Sequence, residues 1–347
     1  MSLLTMLKTK KSGRVLSIQS HVVSGYVGNK CSTFPLQLFG FDVDAINSVQ
    51  FSNHTQYKSF HGNRLQENEL RELYKGLKEN NINTFSWILS GIQASNLEIK
   101  TLLGRMEWKF MKWLWYLLGY CGDCSFLREI SRVISDARSV NPSLRYICDP
   151  VLGDDGEFYV PANLVDIYKD HIIPIADVVT PNSFELEKLT NIPVTNEETC
   201  LCAMKRLHQF GPSIIVTTSG ILSPDEPDTT FYCYASERIV SEACSEEKLR
   251  CFRFEVPIIR GNFVGTGDVF TALLLAWLDD KNLDLCSAVC KVLVSMQILL
   301  RRTSQEAYSV SQNPNYAQLE LRLIDSRLDL LCPPNGSKIN FSEIKSF

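Results

Sequence analysis

The sequence lacks an apolar run long enough to cross a membrane. The nearest stretch, residues 113–120, is far shorter than the roughly 20 residues that a spanning helix needs. The sequence also lacks an excess of charge of either sign, because its formal net charge is −4 over 347 residues. That balance gives no electrostatic case for binding nucleic acid or an anionic membrane, so we expect neither as a partner.

A secretory signal is also missing, and this affects how the 12 cysteines are interpreted. Scattered cysteines without such a signal are typical of reduced thiols in a cytosolic protein. Residues 1–13 carry lysines but no arginine and no apolar core, so we expect a loose tail rather than a targeting peptide. Cys121 and Cys124 form a Cys-x-x-Cys pair without a second pair, which predicts neither a metal site nor a redox site.

What the sequence does contain is a regular alternation of β-rich runs and helical patterns. Strands are predicted at residues 14–19, 41–47, 85–90, 145–148, 178–179 and 213–217, and an antiparallel pair at 229–236 and 249–256. This order predicts an α/β fold in three layers, with helices on both faces of a mostly parallel sheet. We expect one domain over residues 14–330 and a C-terminal tail at residues 331–347.

Several helix starts carry their own signals. Asn68 and Asn196 are predicted to cap helices, because an asparagine side chain accepts hydrogen bonds from the free N–H groups of a first turn. Pro161 is predicted to begin a helix over residues 161–171, since its ring suits the first helical position.

A glycine turn precedes the most apolar helical pattern of the chain. Gly265 and Gly267 bracket Thr266, and Asp268 opens the apolar run at residues 269–277. Glycine lets bare backbone approach a ligand, and the first N–H groups of a helix suit an anion, above all a phosphate. Asp268 would then be placed to take a proton from an attacking hydroxyl. The alternative is an ordinary tight turn in which Asp268 caps the helix.

Other polar residues stand where predicted strands end, and ligands of such sheets bind beyond those ends. Asp149, Asp154 and Glu185 are hard oxygen donors suited to Mg²⁺, directly or through water. Each has a structural alternative: Asp149 can end a strand, and Asn182 nearby can cap a helix. An anion-binding turn, a cation site and a carboxylate base together are the parts of phosphoryl transfer.

Five ordered segments carry a family resemblance: residues 17–21, 47–55, 148–154, 180–185 and 263–268. Through them the chain resembles the ribokinase superfamily and, within it, the family of mammalian-type pyridoxal kinases. The likeness runs from about residue 14 to about residue 323 and is interrupted at residues 91–118. It implies a ribokinase-like fold and ATP-dependent phosphorylation of the 5′-hydroxymethyl group of pyridoxal, pyridoxine or pyridoxamine, which is vitamin B6 salvage to pyridoxal 5′-phosphate.

The resemblance also implies a role for each matching residue. Asp268 would be the catalytic base, with the backbone of Gly265 and Gly267 holding the transferred phosphoryl group. Ser20 and Thr55 would contact the pyridine ring, and Asp268 would bind the substrate at its 5′-hydroxyl. The implied ATP-binding residues are Asp149, Asn182, Thr218, Thr266 and Gly267. The implied metal sites are Asp149, Asp154 and Glu185 for Mg²⁺ or another divalent ion, and Thr180 and Thr217 for K⁺ or Na⁺. The family norm would be a cytosolic homodimer.

Residues 91–118 depart from the family pattern. Residues 87–91 and 115–119 resemble two versions of one strand end, so the segment resembles a retained or duplicated piece of coding sequence. Either copy could enter the sheet, and Tyr120 is the better candidate for the vitamer pocket. The loop after Asp154 is also a few residues shorter than the family pattern, in a place where a lid over ATP is expected.

Two alternatives stay open. Another kinase of the superfamily could act on a related heterocycle or a sugar, although residues 17–21 and 47–55 argue against a sugar. A catalytically impaired isoform could bind vitamer or nucleotide, or dimerise, without turnover because of residues 91–118.

Overall fold

The computed structural model describes residues 13–91, 121–154, 156–240, 247–334 and 339–344. Within these ranges, eleven strands form one sheet and two short strands form a separate hairpin, β6 with β7. In chain order the strands are β1 (Arg14–Val22), β2 (Asp42–Phe51), β3 (Gly62–Arg64), β4 (Trp87–Gly91), β5 (Arg145–Asp149), β6 (Gly153–Asp154), β7 (Glu157–Phe158), β8 (Val178–Val179), β9 (Ile214–Val216), β10 (Ile221–Leu222), β11 (Thr230–Val240), β12 (Glu247–Pro257) and β13 (Asn340–Ile344).

The sheet is mostly parallel, as the sequence predicted. Its strands follow the order β13-β12-β11-β9-β8-β5-β4-β1-β2-β3, with β10 paired to β11. The pairs from β2 through β1, β4, β5 and β8 to β9 are all parallel. Antiparallel strands extend the sheet at both ends, and β11 with β12 is the predicted antiparallel pair. The last of them, β13, comes from the segment that the sequence set apart as a C-terminal tail.

Helices cover both faces of the sheet, which confirms the three-layer α/β prediction. They are α1 (Asn29–Leu38), α2 (Glu67–Glu79), α3 (Cys121–Val140), α4 (Leu164–Ile167), α5 (Ser183–Thr190), α6 (Glu197–His208), α7 (Thr266–Leu278), α8 (Leu285–Val310) and α9 (Arg327–Leu331). Alternate strand residues point to opposite faces. In β5, Cys148 packs in the core under α2, α3 and α6, whereas Ile147 packs in the core under α1, α7 and α8. None of the helices within the described ranges has both the length and the apolarity to span a membrane.

Helix α7 is the element that brings the glycine turn to the sheet edge. Nine consecutive residues, from Val269 to Trp277, are buried. A helix that is apolar all round must be covered on every side, and α7 packs against α1, α8 and β5. This enclosure fixes the start of α7 beside the carboxyl end of β5.

The first of the two strand copies occupies the sheet. Trp87–Gly91 forms β4 between β1 and β5, and all five of its residues are buried. The Nε1 of Trp87 donates a hydrogen bond to Asp279 at 2.9 Å, and the guanidinium of Arg145 lies 4.3 Å from its ring centre. The second copy, Tyr120 and all of the 91–118 segment after Gly91 lie outside the described residues.

Two predicted helix starts were wrong, whereas the Asn196 cap is confirmed. Helix α2 begins one residue before Asn68, and the N–H of Gln66 donates to the Glu69 carboxylate at 2.6 Å, so Gln66 is the cap residue. The helix predicted at 161–171 begins later, at Leu164, and is not a continuous α-helix. After α4, residues 168–172 form a π-helical turn and residues 173–175 form a 3₁₀ turn. Pro174 lies in the 3₁₀ turn and has no N–H to continue the α-helical hydrogen bonds.

Candidate active site

A cavity of about 780 Å³ opens at the carboxyl ends of the parallel strands. Most of the residues predicted for the site line it: Ser20, Thr55, Asp149, Asp154, Asn182, Glu185, Thr218, Gly265, Thr266, Gly267 and Asp268. Residues 20 and 268 are 248 positions apart in the chain, so the parallel topology is what brings them together.

The glycine turn has the conformation that its sequence predicted. Gly265 has a φ of 82°, in the left-handed region, and precedes the first residue of α7. A β-carbon at Gly265 would lie 2.4 Å from the carbonyl oxygen of Tyr26 and 2.8 Å from the Sγ of Cys31, so only glycine fits. The turn therefore presents the free N–H groups of a long buried helix to the cleft.

Asp268 is not the N-cap of α7, and this alternative was wrong. Gly265 occupies the cap position, and Asp268 lies in the first turn, with no side-chain capping bond at this helix start. The Oδ2 of Asp268 instead accepts a hydrogen bond from the N–H of Gly28 at 2.7 Å. The side chain is therefore held against the loop between β1 and α1.

The pKa of the Asp268 carboxyl group lies close to neutral pH. Burial raises the pKa of Asp268 to about 6, and the hydrogen bond from the Gly28 N–H opposes this rise. The residue as a whole keeps some exposure towards the cleft. A group that is mostly ionised at pH 7 and can also accept a proton there suits general-base chemistry.

Asp149 lies close to both the turn and Asp268. A β-carbon at Gly267 would be 3.4 Å from the Oδ2 of Asp149, and one at Gly91 would be 3.5 Å from its Cβ and 3.7 Å from the Oδ1 of Asp268. Asp149 is only 8% exposed. Burial, and then the charges of Glu185 and Asp268, raise the pKa of Asp149 well above its ordinary range.

Glu185 and Asn182 form a reciprocal cap at the start of α5. The N–H of Glu185 donates to the Oδ1 of Asn182 at 2.8 Å, and the N–H of Asn182 donates to the Oε2 of Glu185 at 2.9 Å. The Oε1 of Glu185 accepts from the N–H of Leu152 at 2.9 Å, and the Nδ2 of Asn182 donates to the Gly153 carbonyl at 2.6 Å. Burial outweighs these hydrogen bonds and raises the pKa of Glu185 to about 8.

The chemistry of the cleft fits a cation that arrives with further ligands. Among the described residues that line the cleft, the charged side chains are the carboxylates of Asp149, Asp154, Glu185 and Asp268, without a lysine, arginine or histidine. No set of three His, Cys, Asp or Glu side chains in this part of the chain forms a complete metal site. Mg²⁺ usually takes one or two carboxylates and completes its shell with water and substrate phosphates, which matches this arrangement.

Among the predicted site residues that the structure describes, Thr180 and Thr217 do not line the cleft. Both are buried. The hydroxyl of Thr180 lies 2.9 Å from that of Thr271, and the Oγ1 of Thr217 accepts from the N–H of Tyr234 at 2.8 Å. Both hydroxyl groups therefore have hydrogen-bond partners inside the core rather than in the cleft.

The cleft has an apolar part, here called the apolar lobe, that was not predicted from the sequence. It is lined by Phe231, Val256, Ile258, Leu293, Met296 and Leu300. Apart from Ile258, which follows β12, these residues come from β11, β12 and α8, where apolar side chains fit an ordinary core pattern. Tyr316, between α8 and α9, also lines the cleft and was missed as well.

The fold and the site together define a kinase of small molecules. A family model described as phosphomethylpyrimidine kinase matches residues 126–300, half of the chain. That match covers the acidic strand ends, the cap at α5 and the glycine turn.

More specifically, the chain belongs to the pyridoxal kinase family. It is 44% identical over 352 aligned residues to a putative pyridoxal kinase of Caenorhabditis elegans, covering 99% of this chain and 98% of the relative. It is 40% identical to the pyridoxal kinase of Sus scrofa, covering 92% of each. A solved pyridoxal kinase of Leishmania donovani in complex with ADP and pyridoxamine is 29% identical and superposes with a TM-score of 0.79, covering 96% of this chain and 100% of that one.

Proposed function

We propose that the protein transfers the γ-phosphoryl group of ATP to the 5′-hydroxymethyl group of pyridoxal, pyridoxine or pyridoxamine. The observation that carries the proposal is the position of Asp268, a carboxylate poised near neutral pH at the start of α7, in one cleft with Ser20 and Thr55. The ADP and pyridoxamine bound to the Leishmania donovani relative support the same pair of substrates.

The chain's own residues would act as follows. Asp268 would take the proton of the attacking hydroxyl, while the Gly28 N–H keeps its carboxylate in place. The free N–H groups around Gly265 and Gly267 would stabilise the negative charge of the transferred phosphoryl group. Positioning and charge stabilisation supply most of the catalysis in phosphoryl transfer.

The nucleotide would extend from the glycine turn into the apolar lobe. The lobe offers an apolar surface for the adenine ring, and Gln297 adds an amide at its wall. Asn182, Thr218 and Thr266 would contact the rest of ATP. The N–H of Thr218 donates to the Pro181 carbonyl at 3.0 Å, so the loops after β8 and β9 form one surface.

Asp149, Asp154 and Glu185 would hold Mg²⁺ or another divalent ion, directly or through water. Such an ion supplies positive charge to the phosphates of ATP. A K⁺ or Na⁺ ion bound by the side chains of Thr180 and Thr217 fits less well, because both hydroxyls already have partners in the core. We derive no step through a monovalent ion.

The family resemblance also motivates a homodimer, a cytosolic location and a single domain over residues 14–330. Sedimentation of the purified chain tests the dimer, fractionation of cells tests the location, and limited proteolysis tests the domain limits. An impaired isoform has no specific support, because β4 is in the sheet and the proposed base, turn and acidic residues share one cleft.

The proposal is tested by incubating the purified protein with ATP, Mg²⁺ and pyridoxal and following pyridoxal 5′-phosphate by its aldehyde absorbance. Formation of product that requires all three components is expected. A folded preparation that binds pyridoxal without turnover would favour the impaired isoform. Turnover of a sugar in place of the vitamers would favour another kinase of the superfamily.

A further inference from the structure

One carboxylate joins two loops that border the cleft. Glu320 lies between α8 and α9 and is 18% exposed. Its Oε2 accepts a hydrogen bond from the N–H of Tyr26 at 2.9 Å, and its Oε1 accepts one from the hydroxyl of Tyr57 at 3.2 Å. The Nε2 of His54 lies 3.4 Å from the same Oε1. Hydrogen bonds to a charged acceptor are stronger than those between neutral groups, so this is a firm anchor.

The first of these loops reaches the proposed base. The carbonyl oxygen of Tyr26 packs directly on Gly265, where a β-carbon would lie 2.4 Å from it. Two residues after Tyr26, the N–H of Gly28 donates to Asp268. The Glu320 carboxylate also lies over Gly25, where a β-carbon would be 2.3 Å from its Oε1. Glu320 therefore fixes the loop that holds the base.

The second loop carries the proposed vitamer contact. His54 is 3% exposed, and its ring centre lies 4.6 Å from that of Tyr57 and 5.5 Å from that of Tyr316. Thr55, next in the chain, lines the cleft together with Tyr316. The aromatic contacts and the Glu320 carboxylate thus hold Thr55 against the C-terminal part of the chain.

We propose that Glu320 is a positioning residue that preassembles the vitamer end of the cleft through these two loops. The inference rests on the proposed function but adds a residue that would not itself touch substrate. Loops that are already ordered lose less entropy when a ligand binds. The nucleotide end is held by other elements, among them the cap of Asn182 and Glu185 at α5. Loss of Glu320 should therefore weaken the binding of the vitamer and leave the binding of the nucleotide nearly unchanged.

The test compares Glu320→Ala, Glu320→Gln and Tyr57→Phe with the wild type and with Glu306→Ala, an exposed glutamate on α8. Steady-state kinetics give KM for pyridoxal and for ATP, calorimetry gives Kd for pyridoxal and for ADP, and thermal unfolding reports the fold. Glu320→Ala should raise KM and Kd for pyridoxal by about tenfold and change the nucleotide constants by less than about twofold. Glu320→Gln and Tyr57→Phe should have smaller effects, because each leaves part of the anchor, and Glu306→Ala should have none.

Equal losses for both substrates, in step with a lower unfolding temperature, would make Glu320 merely structural and overturn the inference. Unchanged pyridoxal constants in Glu320→Ala would overturn it as well. If the wild type binds pyridoxal without turnover, the proposed function fails, and the Kd values still decide the role of Glu320. If the wild type does not bind pyridoxal at all, both proposals fail.

Discussion

Replacing Asp268, the proposed base, separates its effect on catalysis from its effect on the free energy of unfolding. Asp268→Asn preserves an oxygen that can accept from the Gly28 N–H, so the loop between β1 and α1 should keep its place. The amide cannot take a proton from the substrate hydroxyl. General-base catalysis contributes about 10² to 10⁴ in rate, and kcat should fall by that factor.

The pH dependence of the wild type follows from the same carboxyl group. With a pKa of about 6, Asp268 is about nine-tenths ionised at pH 7 and about one-tenth ionised at pH 5. Turnover should therefore drop about tenfold between these two pH values. A carboxyl group with the ordinary pKa of 3.8 would stay ionised and would give almost no drop.

The stability of the fold should change in the opposite direction. Between pH 3.8 and about 6, the folded state binds a proton at Asp268 that the unfolded state has released. The free energy of unfolding therefore falls as the pH rises through this window and stays lower above it. The shift corresponds to about 3 kcal/mol at full burial, and the exposure of residue 268 towards the cleft reduces this to about 1–3 kcal/mol.

Asp268→Asn should therefore be more stable than the wild type at pH 7, with a midpoint higher by about 1–4 °C. The measurement is thermal unfolding in EDTA over a series of pH values, because a bound cation would also alter the charge balance. The difference should narrow as the pH falls from 6 towards 4. Asp325→Asn, at an exposed position, is the control. A variant that keeps more than about a tenth of the wild-type kcat, or is less stable at pH 7, would refute the reasoning.

Three further predictions concern the cleft. Gly265→Ala should lower the free energy of unfolding by about 1–3 kcal/mol in urea titrations. Gly267→Ala should keep the fold and lower kcat at least tenfold, because the new methyl group enters the anion turn beside Asp149. Equal losses of stability in the two variants would contradict this. Mg²⁺ together with ADP should raise the unfolding temperature of the wild type more than ADP alone does, and Asp149→Asn should lose most of that extra rise. An unchanged extra rise would exclude Asp149 as a ligand. Deleting residues 91–118 joins Ser90 to Gly119, so β4 should keep its register in the sheet and the variant should keep its turnover. An insoluble variant would contradict this.

Much of the sheet could be predicted because its strands are short apolar runs between turn signals. In β4 and β5 every residue but one is buried, and short apolar runs between turn signals are consistent with buried strands. The glycine turn was also predictable, since glycine adopts a φ of 82° at little cost and has no β-carbon to meet the Tyr26 carbonyl. The choice of the first strand copy was not, because both copies have the same local pattern, and the structure decides it through pairing with β1 and β5.

Other features depend on contacts that local patterns do not encode. Asn68 is a better cap by residue type than Gln66, but the hydrogen bond from the Gln66 N–H to the Glu69 carboxylate places the cap two residues earlier. Thr180 stands at a strand end like the cleft residues, yet its hydroxyl meets Thr271 in the core. Glu320 is 294 positions from Tyr26, and the identity of the residue alone does not point to this partner.

The proposed cation would supply a charge that the described lining of the cleft does not contain. ATP brings several negative charges, and the described lining meets them with the carboxylates of Asp149, Asp154, Glu185 and Asp268 and no basic side chain. Two unit charges 5 Å apart near a protein surface repel by about 3 kcal/mol, and the start of α7 offers the equivalent of only about half a positive charge. The helix therefore cannot balance the phosphates alone. The proposed cation, entering with the nucleotide, would supply that positive charge, and it would let buried carboxylates with raised pKa values form part of a binding site for an anion.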